Sequence, residues 1–113
     1  MNLDPEGPIT QLTTLRDDVP VNAKIYEQVT PQAANLVRAS FTIDAITAYT
    51  VTTCHTALSG EPLEQQIRDL LSDLMHLCDL FVDAPDADQT GYTFDDLLDN
   101  ARRRYYEETQ EVC

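Results

Sequence analysis

Positive charge is scarce in this chain: six Arg and one Lys stand against 20 acidic residues, for a net charge of −13. Such a field repels nucleic acid and anionic membranes, so direct binding to either is not expected. Glycine is also scarce, three in all, which leaves no Gly-rich loop to cradle a phosphate. Three cysteines make no disulfide framework, and the start MNLDPEGPIT lacks a basic region followed by an apolar one. Both features point to a reducing, cytoplasmic setting. No apolar run approaches membrane-spanning length.

What is present is enough apolar material for one domain. The chain has 113 residues, of which 42% are hydrophobic, so a single modest core is expected. The clearest pattern is LEQQIRDLLSDLMHLCDLF from Leu63 to Phe81. Leu63, Ile67, Leu70, Leu74, Leu77 and Phe81 recur at spacings of four and three, which stacks them on one side of a helix near 62–82. Leu71, Cys78 and Val82 widen the stripe, and the pattern predicts that the whole face is buried.

Thr30 as N-cap with Pro31 at the first helical position predicts a helix start, and Gly60 with Pro62 predicts its stop. Between them only Arg38 and Asp44 are charged, as expected of a central, buried helix near 31–58. A last helix near 94–109 begins at Thr93, with Asp96 three residues on and Tyr92 and Leu97 placed for a hydrophobic staple. Residues 1–29, broken by Pro5, Gly7, Pro8 and Pro20, read as an irregular N-terminal arm with one helical turn near Asn22–Gln28. The expectation is therefore an all-α fold: a small single-domain bundle of about three main helices at 30–113, with the arm of 1–29 packed on it. Three helices of this size leave apolar surface over, which is an opening for a homodimer.

Chemistry-bearing residues are mostly carboxylates. Between Glu61 and Asn100 there are eleven acids and one base, Arg68. Asp69, Asp73 and His76 fall on one flank of the 62–82 helix, but holding a metal there would need ligands from another segment. Asp86, Asp88, Thr90 and Gly91 sit at calcium-loop positions of DADQTGYTFDDL. The twelfth position, however, is Leu97 where a bidentate Glu should stand. Cys54 and His55 are adjacent and cannot act as a nucleophile pair on a helix. His76 and Cys78 lie on nearly opposite sides of theirs, which makes no zinc signature. No catalytic residue, metal site or cofactor is therefore expected. Asp69, Asp73, His76, Asp83, Asp86, Asp88, Asp95 and Asp99 remain as candidates for a partner-binding surface.

The segments DLLSDLMHLCD and FDDLLDNARRRYYEE, within Glu64 to Glu108, resemble short helical proteins carried on bacterial plasmids, phages and islands. That likeness implies a mobile-element setting. The same segments resemble the MazG-like all-α nucleotide pyrophosphohydrolases, which would imply Mg²⁺-dependent phosphohydrolysis through paired ExxE and ExxD carboxylates. Leu70 stands where the second Glu would precede Asp73, and 31–59 contains no Glu, so the means of neutralising phosphates is missing. The functional expectation is a non-enzymatic, acidic interaction protein of DNA-mimic or anti-defence type. It would inhibit or modulate a basic nucleic-acid-binding protein. The alternatives are a MazG-like hydrolase with displaced ligands, a calcium-binding helix–loop–helix protein, or acidity that serves only solubility in a salt-adapted genome.

Overall fold

The computed structural model describes residues 2–55, 60–82 and 92–109. The fold is all-α, with α1 (Leu12–Asp18), α2 (Pro31–Ser40), α3 (Thr42–Cys54), α4 (Leu63–Asp79) and α5 (Phe94–Thr109). Three short 3-10 turns, Ile9–Gln11, Ile25–Glu27 and Leu80–Val82, complete the helical elements. Among the described residues no helix is long and apolar enough to cross a membrane. Two compact units divide the chain, Met1–Leu70 and Leu71–Cys113.

The first unit holds the core. Ile9, Leu12, Leu15 and Val19 pack with Val37, Ile43, Ile46 and Leu63 in one buried cluster. Half of that cluster comes from the stretch expected to be an irregular arm. Its spacing of three, three and four residues gives one helical stripe, so burial holds a helix of only seven residues that would be marginal alone. The expected turn near Asn22–Gln28 is present as the 3-10 turn Ile25–Glu27.

The arm also terminates α4. Leu63 N–H donates to Gly7 O at 2.7 Å and Glu64 N–H to Pro5 O at 2.8 Å. Two donors that a helix start leaves unmet are thus satisfied by backbone carbonyls from far away in the chain. Gly7 is held close in this arrangement: a Cβ there would lie 2.9 Å from Gln11 Nε2. Gln11 in turn folds over the turn, accepting from Asp4 N–H at 2.8 Å and donating to Asp4 O at 2.6 Å.

The single helix expected over 31–58 is two. Thr30 caps α2 as predicted, its Oγ1 accepting from Ala33 N–H at 3.1 Å. Ser40 Oγ then donates to Val37 O at 2.6 Å and Thr42 Oγ1 to Ala39 O at 2.7 Å. These hydroxyls compete for helix carbonyls, and Phe41 N–H bonds back only three residues, to Arg38 O, which breaks α2 from α3.

Nor does α3 run to Gly60. It ends at Cys54, with His55 at φ 64°, ψ 7° in the left-handed region. It is not buried all round either: Ile43, Ile46 and Thr50 are buried, whereas Val51 is 45% exposed. The low charge of this segment reflects a threonine-rich face that water tolerates, and does not signify a central position.

Thr50 of α3 and Gln66 of α4 are the largest fully buried side chains among the described residues, at 0% and 1% exposure. Thr50 Oγ1 donates to Gln66 Oε1 at 2.9 Å, and Gln66 Nε2 donates to Glu61 Oε2 at 2.8 Å. This link ties α3 to the start of α4, and within it Thr50 and Gln66 have no water to fall back on.

The stripe of α4 is buried over only part of its length. Leu63 is buried and Leu70 packs against the core, but Ile67 is 41% exposed, Leu74 36%, Leu77 50% and Phe81 53%. The expectation of a continuously buried face is corrected here. Periodicity shows that residues share a side of a helix; it does not supply a surface to cover that side.

Candidate interaction surface

The second unit is built from the end of α4, the turn Leu80–Val82 and α5. Among its described residues only Cys78, at 7%, is buried. Helix α5 starts as the sequence predicts: Thr93 Oγ1 accepts from Asp96 N–H at 3.2 Å and donates to Asp96 Oδ2 at 2.8 Å. Asp95 and Asp96 occupy its first turn, where carboxylates meet the positive end of the helix dipole. Further along, Arg102 Nη1 lies 3.6 Å from Asp99 Oδ1, Arg103 bonds to Asn100 Oδ1, and Tyr105 meets Tyr106 edge-on at 5.6 Å.

A cleft of about 280 Å³ lies between the end of α4 and the start of α5, lined by Ser72, Met75, His76, Asp79, Thr93, Phe94 and Asp95. It brings together two of the candidate residues, His76 and Asp95, with Asp79 beside them. Asp99 lines a separate hollow on α5 with Arg102, Arg103 and Tyr106. Asp69 and Asp73 line neither of these two hollows; both are exposed on α4, one helical turn apart, with a rise of ~6 Å between them. Asp83, Asp86 and Asp88 lie outside the described residues, as does the calcium-loop pattern up to Gly91. Among the described residues no group of three or more His, Cys, Asp or Glu side chains is placed to hold a metal ion.

The arrangement offers charge and apolar surface side by side. Leu71, Leu74, Met75, Leu77, Leu80 and Phe81 are all exposed by a third or more, on the same stretch that carries Asp73, His76 and Asp79. Leu71, Leu74, Leu77 and Phe81 belong to the stripe whose spacing predicts burial; Met75 and Leu80 do not. No local signal separates a covered stripe from an uncovered one, so the sequence did not mark those four as surface. Searches of protein-family models, of characterised proteins and of solved structures find nothing that matches this chain.

Proposed function

We propose that this protein is a small, non-enzymatic interaction protein whose acidic surface engages a basic, nucleic-acid-binding partner and blocks it by imitating phosphate charge. The observation that carries the reading is the paired spacing of exposed carboxylates on rigid helices. Asp69 and Asp73 on α4, and Asp95 and Asp99 on α5, are exposed at i, i+4, each pair set by the ~6 Å rise of a helical turn. Helical carboxylates keep their spacing, so a basic surface meets a fixed row of charge. The base on this part of α4, Arg68, pairs with Glu64 at 2.8 Å, whereas on α5 Arg102 lies 3.6 Å from Asp99 and offsets part of its charge.

The test is capture from a lysate of the host cell on immobilised protein, compared with the variant Asp69→Lys plus Asp73→Lys. The expected result is a basic nucleic-acid-binding protein retained by the natural chain, lost with the variant, and released as salt rises. Screening shortens the Debye length from ~10 Å at 0.1 M salt to ~3 Å at 1 M. Equal capture by both proteins at every salt concentration would reduce the acidity to a solubility device. Mg²⁺-dependent turnover of nucleoside triphosphates, abolished by Asp73→Asn, would instead make the protein a hydrolase.

A further inference from the structure

The exposed apolar stripe at the end of α4 needs an occupant, and the charges beside it select one. Leu74, Leu77 and Phe81, all exposed by a third or more, stand at i, i+3 and i+7, the spacing by which one helix seats another. From Leu71 to Phe81 the stripe runs ~15 Å, about three turns of a partner helix. Carboxylates border both sides. Asp73 precedes Leu77 by one turn, Asp79 follows Met75 by one turn, and Asp95 of α5 shares a cleft with Met75 and Asp79.

A second copy of this chain is a poor occupant. Because acids line both borders, parallel and antiparallel self-pairing alike set carboxylates against carboxylates, on chains that each carry −13. An anionic lipid surface meets the same repulsion. A helix with an apolar stripe flanked by Lys or Arg satisfies both the stripe and its borders.

We infer that the face from Leu71 to Phe81 is a docking site for a basic amphipathic helix of a partner protein. The inference rests on the reading of a basic partner above and adds that the partner is gripped by apolar burial, with the carboxylates steering and aligning it. Leu74 and Leu77 sit at the centre of the stripe, where the largest effects of truncation are expected.

The probe is a labelled amphipathic leucine–lysine peptide, followed by fluorescence anisotropy. Two analogues accompany it, one with glutamine for leucine and one with glutamate for lysine. Sedimentation of the protein alone is measured in parallel. The leucine–lysine peptide is expected to bind most tightly, and the Leu74→Gln plus Leu77→Gln variant to bind it about tenfold more weakly or worse at unchanged helicity. If the glutamine–lysine analogue binds as well, and the variant loses nothing, the apolar dock is refuted while the charge-based function stands. Equal binding of the leucine–glutamate analogue would refute both. A dimer that the double variant dissociates and the peptide does not would assign the face to a second copy, which also overturns the inference.

Discussion

Replacing Thr50 by Val removes one hydroxyl while keeping the shape of the side chain, and it strikes the polar link between α3 and α4. Thr50 is 0% exposed and Gln66 1%, so no water replaces the lost 2.9 Å bond. The amide of Gln66 has no freedom to turn over, because its nitrogen donates to Glu61 Oε2 at 2.8 Å and the oxygen has no proton to offer that carboxylate. Leaving a buried neutral acceptor unmet costs ~1–3 kcal/mol, and with burial this complete we expect about 2 kcal/mol. Gln66→Leu should cost less, about 1 kcal/mol, since the Thr50 hydroxyl can bond to a carbonyl of its own helix. The half-buried Glu61 turns to solvent.

If the two changes were independent, the double variant would lose about 3 kcal/mol. Removing both partners together should instead lose about 1 kcal/mol, a coupling of ~2 kcal/mol. Urea unfolding followed by circular dichroism measures this, provided the slope on denaturant is unchanged. A Thr50→Val loss below ~0.5 kcal/mol, or singles that add to within ~0.5 kcal/mol, would show that the buried link is not formed.

Three further outcomes are expected. Leu12→Ala should destabilise the first unit by ~2–5 kcal/mol in the same urea assay, because Leu12 is 4% exposed within the cluster; a loss under ~1 kcal/mol would return the arm to the surface. His55→Gly should leave stability unchanged or raise it by up to ~1 kcal/mol, and His55→Val should lower it, because φ 64° suits residues without a branched Cβ. Both are read from the thermal midpoint. Thr30→Ala should cost ~1 kcal/mol by removing the cap on Ala33 N–H, with Thr30→Ser restoring most of it; no change for Thr30→Ala would mean that the cap contributes nothing.

Local chemistry was legible without the structure. The starts of α2 and α5 were readable because a cap involves residues three apart, Thr30 with Ala33 and Thr93 with Asp96. The amphipathic period of α4 and the all-α class were readable for the same reason: helical order is written over a few turns. What the sequence left open were relations between distant segments. Only the tertiary structure makes Ile9, Leu12, Leu15 and Val19 half of the core cluster, and only it brings the carbonyls of Pro5 and Gly7 to the start of α4. It also decides that the stripe beginning at Leu63 is buried at that end and half-exposed at Leu77. Burial depends on whether another surface arrives, and that surface is encoded elsewhere in the chain, or in another molecule.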